Sequence, residues 1–245
     1  MLTSMQGVLL VDKPLGWTSF DVVNYVRKQV AAAAGKKPKH IKVGHTGTLD
    51  PLATGLLVLL VGKEYTKRAG AMSKHDKTYE VTIELGATST TGDNEGVKQV
   101  GGSRQPSERE VRAVCHSFVG TYMQTPPVYS AVKVNGQRAY DLARKGKEVA
   151  LDPRPVTVYD MRDITYVYPH VHFVCDVSSG TYVRSLVEDI GCSLGTGAYM
   201  TELRRTRVGR FEVHNAVAVQ HEDILTYLLE ITADSPIDRV DVSVL

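Results

Sequence analysis

Residues Gly44–Gly55 read GHTGTLDPLATG, and Leu56–Gly62 continue without a break as LLVLLVG. The first stretch holds a single acid, Asp50, among glycines and small hydroxyl residues, and the second is wholly apolar up to its glycine. An unbroken apolar run closed by glycine is the pattern of a strand buried on both faces. Asp-Pro commonly opens a turn, and aspartate with proline behind it can also cap a helix. Gly44, Gly47 and Gly55, however, let the backbone turn sharply and let another molecule come close. The strand read at Thr54–Val61 then follows at once. Asp50 therefore reads as an acid presented on a rigid frame, with His45, Thr46 and Thr48 as polar company.

Outward from this stretch, Gly7–Asp12 (GVLLVD) reads as a short buried strand. Thr18 or Ser19 caps a helix with Asp21 in its first turn, where the helix dipole favours an acid. Phe20, Val23, Val26 and Val30 form its expected buried side, and Gly35 ends it. Asp76–Leu85 alternates, with Tyr79, Val81, Ile83 and Leu85 on one face. Ser107 and Glu110 form a capping box for a helix over Glu108–Phe118. A strand and tight turn through Asn135-Gly136 lead to a helix at Ala139–Lys145. Strands follow at Val156–Val167 and Val171–Val177, then a helix at Tyr182–Leu194 and a strand at Tyr199–Val208. A last helix is expected at Glu222–Leu229. Without regular β-α-β alternation, the pattern predicts an α+β fold with a mixed, mainly antiparallel sheet flanked by helices.

The 245 residues suffice for a sizeable core. The first 78 residues carry 12 Lys/Arg against 5 Asp/Glu, a surplus of 7, and the rest 17 against 22, a deficit of 5. A basic portion of this kind suggests a polyanionic partner. The apolar runs are too short to span a bilayer, and residues 1–12 lack a secretory pattern. Cys115, Cys175 and Cys192 fit neither a disulfide framework nor a zinc site and read as buried, reduced thiols of a cytoplasmic protein. No metal and no cofactor are expected. No phosphate-binding glycine loop or GxSxG elbow occurs, so nucleotide-dependent and serine-hydrolase chemistry have no support.

Other candidates lie far apart in the chain. Ser179–Arg184 spell SGTYVR, a glycine turn opening a helix, from which Arg184 could pair with a carboxylate. Taken alone, Arg184 equally suits a helix surface, and Tyr79 and Tyr182 equally suit the core.

The order of motifs narrows this. VDKPLGWTSFDVV (Val11–Val23), VGHTGTLDPLATGLL (Val43–Leu57), DKTYEV (Asp76–Val81) and TGDNEG (Thr91–Gly96) are followed by QTPPVYSAVKVNGQRAYDLARKG (Gln124–Gly146). RPVTVY (Arg154–Tyr159), SSGTYVRSLVEDIG (Ser178–Gly191) and ELRRTRVGRF (Glu202–Phe211) complete the series. In this order the chain resembles the TruB family, the tRNA pseudouridine-55 synthases, over most of residues 7–225. The resemblance implies a pseudouridine synthase fold with the catalytic loop in a central cleft. It implies isomerisation of uridine in the T-loop of tRNA, with the target nucleotide flipped out of its stack. It implies Asp50 as the catalytic aspartate, Arg184 as its charge partner, and Tyr79 stacked on the uracil. His45 supports the flipped nucleotide, and Tyr182 and Leu203 line the pocket. Lys13 belongs to the binding set through a Lys-Pro pair whose expected role is packing and loop shaping.

Two departures stand out. Family members usually carry a further C-terminal RNA-binding domain of the PUA type, and the expected organisation here is one catalytic domain over 1–245 without it, with a C-terminal helix and tail at 220–245. Residues 31–42 (AAAAGKKPKHIK) resemble a basic insertion, in which Lys36, Lys37, Lys39 and Lys42 would meet the RNA backbone. The expected partner is the T-arm of tRNA, bound by a monomer. The rival readings are a guide-RNA-dependent synthase of the H/ACA type, a tRNA-binding or folding module with dispensable catalysis, and a nucleoside hydrolase.

Overall fold

The structure, a computed structural model, describes residues 5–130, 132–134, 136–146 and 149–229. Its strands are β1 (Gly7–Lys13), β2 (Val43–His45), β3 (Ala53–Val61), β4 (Lys77–Leu85), β5 (Ala87–Ser89), β6 (Lys98–Val100) and β7 (Gly120–Gln124). They continue as β8 (Lys133–Val134), β9 (Gln137–Arg138), β10 (Arg154–Val167), β11 (His170–Val177), β12 (Ala198–Val208), β13 (Phe211–Glu212) and β14 (Val217–Ala218). The helices are α1 (Ser19–Ala33), α2 (Lys63–Thr66), α3 (Ala69–Met72), α4 (Glu108–Ser117), α5 (Ala139–Arg144) and α6 (Val183–Leu194). The chain divides into two compact units between Tyr79 and Glu80 and between Leu203 and Arg204.

In the first unit β1 lies antiparallel to β3, from Gly7 opposite Val61 to Lys13 opposite Gly55. β14 runs parallel to β1, and β2 runs antiparallel to β3 with His45 opposite Leu59. Because side chains alternate across a strand, Val8, Leu10, Leu56, Val58 and Leu60 share one face. They cluster there with Met72, Val208 and Phe211. The opposite face presents Leu9, Val11, Leu57 and Leu59, equally buried. This two-sided burial is why Leu56–Val61 is a continuous apolar run instead of an alternating one.

In the second unit β10 pairs antiparallel with β11 on one side and β7 on the other. The α4 capping box forms as expected, with Ser107 Oγ accepting from the Glu110 N–H and the Glu110 carboxylate accepting from the Ser107 N–H. The sheet is mixed and mostly antiparallel, as the sequence pattern predicts.

Several expectations need correction. Phe20 is 62% exposed, and Ser19, Val22, Val23, Val26 and Val30 form the buried side of α1. Thr18 is the cap, and Ser19 turns inward because its hydroxyl is engaged by the backbone of Leu49. α1 runs through Ala33, so residues 31–33 belong to the helix, and the basic segment that follows contains a 3-10 turn at Pro38–His40. In place of a helix at Glu222–Leu229 there is a 3-10 turn at Ile224–Tyr227. Its continuation leaves the helical path because Leu229 exchanges two backbone hydrogen bonds with Val8 at 2.8 and 2.9 Å. Of the cysteines, Cys192 is exposed, whereas burial pushes the thiols of Cys115 and Cys175 up to about 11 and about 12. The tail expected beyond Leu229, and Asn135 of the expected turn, lie outside the described residues.

Gly55 is a position where the fold tolerates no side chain. Its φ is +96°, and a Cβ would stand 2.3 Å from the carbonyl oxygen of Arg205. Gly55→Ala combines left-handed strain with a backbone clash between β3 and β12. A loss of about 2–6 kcal/mol is expected by urea denaturation, and an unchanged midpoint would refute the close approach.

Candidate active site

Asp50 sits half-buried on the loop between β2 and β3 in the first unit. The loop is held from below by polar side chains that the fold buries. Arg205 on β12 is 1% exposed. Its Nε donates to Leu56 O at 2.7 Å, and its two terminal nitrogens donate to Gly47 O at 3.0 Å and Thr48 O at 3.4 Å. Lys13 on β1 is 0% exposed, and its ammonium donates to the carbonyls of Pro14, Trp17 and, at 3.5 Å, Pro51. Ser19 accepts from the Leu49 N–H at 2.7 Å and donates to Leu49 O at 2.8 Å. The Thr46 N–H is bound to Val58 O, and the Ala53 N–H closes a turn on Asp50 O. The segments on both sides of Asp50 are thus fixed to β1, α1, β3 and β12. Buried cations meet the loop's carbonyls, which would otherwise go unpaired at about 1–3 kcal/mol each.

Lys77, at the start of β4, is 7% exposed and packs against the same loop, with its Cε 3.6 Å from where a Gly47 side chain would begin. Its ammonium donates to Ser73 O and His75 O. Burial first, and then the charge of Arg205, pull its pKa down to about 8. The unfolded chain therefore binds more protons than the folded one between pH 8 and 10.5. Lys77's contribution to stability is full above its unfolded pKa and is lost as pH falls through about 8. Relative to Lys77→Met, the wild-type protein is expected to gain about 2 kcal/mol between pH 7.5 and pH 10 in urea unfolding. A difference that stays flat over that range would show that Lys77 titrates normally.

His45 ends β2, half-buried, and its Nδ1 has no hydrogen-bond partner among the described residues. Burial, reinforced by the Arg205 charge, lowers its pKa, which favours a neutral imidazole near pH 7. Tyr79 lies two residues beyond Lys77 on β4, buried at 7% exposure.

The second unit holds Tyr182, Arg184 and Leu203. Tyr182 is the N-cap residue of α6. Its backbone is gripped by the buried Gln124 side chain, whose Oε1 accepts from the Tyr182 N–H at 2.8 Å and whose Nε2 donates to Tyr182 O at 3.1 Å. Arg184 is 9% exposed. It donates to Thr91 O at 3.1 Å and Tyr129 O at 2.9 Å, and its Nε stands 3.9 Å from the buried Asp93 carboxylate. Asp93 Oδ1 in turn accepts from Thr91 Oγ1 and, at 3.0 Å, from the Glu95 N–H. The TGDNEG motif is therefore a loop folded around one carboxylate that orients an arginine. Leu203 is also buried.

Within the first unit the structure sets Lys13 of β1 against the braced loop of Asp50, and within the second it docks Arg184 on the TGDNEG loop. Lys13 serves the loop, since a fully buried ammonium directed at carbonyls is not a group that faces a substrate. Lys36, Lys37, Lys39 and Lys42 are exposed. Sequence reasoning missed Arg205, Lys77, Gln124 and the role of Asp93. For Arg205 a signal existed, because alternation along β12 places it on the same side as Leu203. An arginine is ordinarily assigned to solvent, which hides that signal.

The sequence profile of the TruB family pseudouridylate synthase (N terminal domain) matches residues 34–183. The tRNA pseudouridylate synthase B C-terminal domain profile matches residues 184–240. A tRNA pseudouridine synthase B of Chlamydia muridarum is 42% identical over 220 residues, covering 89% of this chain and 87% of that protein. One of Syntrophotalea carbinolica is 41% identical, covering 90% of this chain and 70% of that protein. Among solved structures, a Cbf5-Nop10-Gar1 complex matches with a TM-score of 0.63 and 29% identity, over 86% of this chain. The chain spans about half the length of that structure's matched chain, 52%.

Proposed function

Because the chain belongs to the TruB family of pseudouridylate synthases, we propose that the braced loop of Asp50 is its catalytic centre and that the target is the T-loop uridine at position 55. The protein isomerises uridine to pseudouridine in tRNA. The observation that carries the site assignment is the support of Asp50. Its loop is pinned on both sides by fully buried Arg205 and Lys13. Such rigidity matches a reaction whose transition state must be met by a charge already in place.

Detaching uracil from C1′ leaves positive character on the ribose, as in glycoside cleavage. One carboxylate can stabilise that charge or bond to the sugar. No second carboxylate is required, because the same base leaves and returns. In this reading Tyr79 stacks on the uracil, Arg184 supplies the counter-charge of Asp50, Tyr182 and Leu203 line the pocket, and neutral His45 supports the flipped nucleotide. Extruding a base costs a few kcal/mol, which attraction of the RNA backbone to the basic segment carrying Lys36, Lys37, Lys39 and Lys42 offsets.

The test is incubation with an unmodified T-arm stem-loop, without guide RNA or partner protein, followed by nucleoside analysis. Pseudouridine at the T-loop position is expected. Dependence on a guide would favour the H/ACA type, and release of free uracil would indicate a hydrolase. Asp93→Ala, which removes the carboxylate beside Arg184, is expected to lower kcat about 10–100-fold, by analogy with the loss of a supporting partner in a site. Unaltered kcat would remove Arg184 from the site.

A further inference from the structure

A cavity of about 340 Å³ opens between α1 and the segment that follows it, within the first unit. That is the lower range of small-ligand clefts, about 300–1,000 Å³. Arg27 and Lys28 from α1, and Lys39 and Lys42 from the segment 38–42, line it around the apolar side chain of Ile41. Among the described residues none of these four cations is in an ion pair. The guanidinium of Arg27 is oriented by a 2.7 Å hydrogen bond to Asn24 Oδ1, which leaves further N–H donors for a second acceptor. Four like charges around one cavity repel one another until an anion enters, so the site favours a polyanion. A second cavity of about 480 Å³ shares Asn24 and Lys28 with the first and is lined by Trp17 and Tyr25. Those two rings meet edge to face at 6.0 Å. The acid in this second cavity, Asp21, is already engaged by the Thr18 N–H and hydroxyl.

We infer that these adjoining cavities form an RNA groove, with successive phosphodiesters held by Arg27, Lys28, Lys39 and Lys42 and a neighbouring unpaired base laid against Trp17 and Tyr25. The inference rests on tRNA being the substrate and adds to it a grip separate from the Asp50 loop. The groove is in fixed register with that loop. Ser19 of α1 is bonded in both directions to Leu49, and Lys42 leads directly into β2 and His45. Aromatic faces beside a basic track are the usual means of holding unpaired nucleotides. Lys36 and Lys37 do not line either cavity, so they contribute only to the general field.

The test compares Arg27→Gln/Lys28→Gln/Lys39→Gln/Lys42→Gln with Lys36→Gln/Lys37→Gln, each checked for folding by circular dichroism. The readouts are tRNA affinity across salt concentrations and the fluorescence of Trp17, the only tryptophan. The fourfold variant is expected to flatten the slope of log affinity against log salt by about 2–3, at roughly 0.7–0.9 per phosphate contact. It should raise KM about tenfold, more than it lowers kcat, and lose the quenching of Trp17 that tRNA causes in the wild type. The twofold variant should keep the quenching and change the slope by less than about 1. An unchanged slope in the fourfold variant, or an equal loss in the twofold variant, overturns the groove. Wild-type protein that binds tRNA with this slope and quenching yet makes no pseudouridine would overturn the isomerase assignment while supporting the groove.

Discussion

Asp50→Asn is expected to lower pseudouridine formation more than about 10³-fold, about 4 kcal/mol of barrier, while tRNA binding stays within a few-fold. The amide keeps the size of the carboxylate and one acceptor oxygen, so the loop bonds made by Arg205, Lys13 and Ser19 to the backbone are untouched. What disappears is the negative charge proposed to meet positive character on the ribose. Affinity persists because most of it comes from phosphate contacts. Single-turnover assays at saturating tRNA, with filter binding on the same preparations, check both halves. Isomerisation by this variant at the wild-type rate would end the assignment of Asp50. A parallel collapse of binding would mean that the substitution disturbed the loop instead of the chemistry.

The second large effect is expected at Arg205, a positioning residue. Arg205→Met keeps a long apolar stem but removes the donors to Gly47, Thr48 and Leu56. Global stability should move modestly, within about 2 kcal/mol, because the lost hydrogen bonds are offset by relief from burying a charge. The loop, in contrast, loses its brace, and misplacement of a reacting group by about 1 Å can cost about 10²-fold. A fall in kcat of that size, with a small change in KM, is the expected result. Arg205→Lys should recover little, since one ammonium cannot span three carbonyls laid out for a guanidinium. Amide exchange at Thr46 and Leu49 should quicken in both variants. Wild-type kcat in folded Arg205→Met protein, or exchange that does not change, would show that the loop holds itself.

Much of the architecture is legible in the chain because its determinants are local. The Ser107 and Glu110 box marks the start of α4, the alternation of Tyr79, Val81, Ile83 and Leu85 marks β4, and the uninterrupted run Leu56–Val61 marks a strand covered on both sides. Where local signals compete, the reading slips. Phe20 has the right spacing for the buried face of α1, yet Ser19 takes that side through its bonds to Leu49. Leu228 and Leu229 extend a helical pattern, yet the backbone of Leu229 is captured by Val8. In both cases a partner far along the chain outweighs a propensity of a few tenths of a kcal/mol per residue.

The sequence by itself determined most of the strands and helices, the family, and the acid proposed as the catalytic group, because periodicity, caps and a contiguous motif are properties of neighbouring residues. Only the tertiary structure decided what holds that acid in place. Arg205 lies 149 residues from Leu56 and 158 from Gly47, and what it binds there are main-chain carbonyls. Carbonyls are present at every residue and leave no trace in the amino-acid code. A buried cation becomes stable only where folding makes several of them converge, and that convergence exists in space alone.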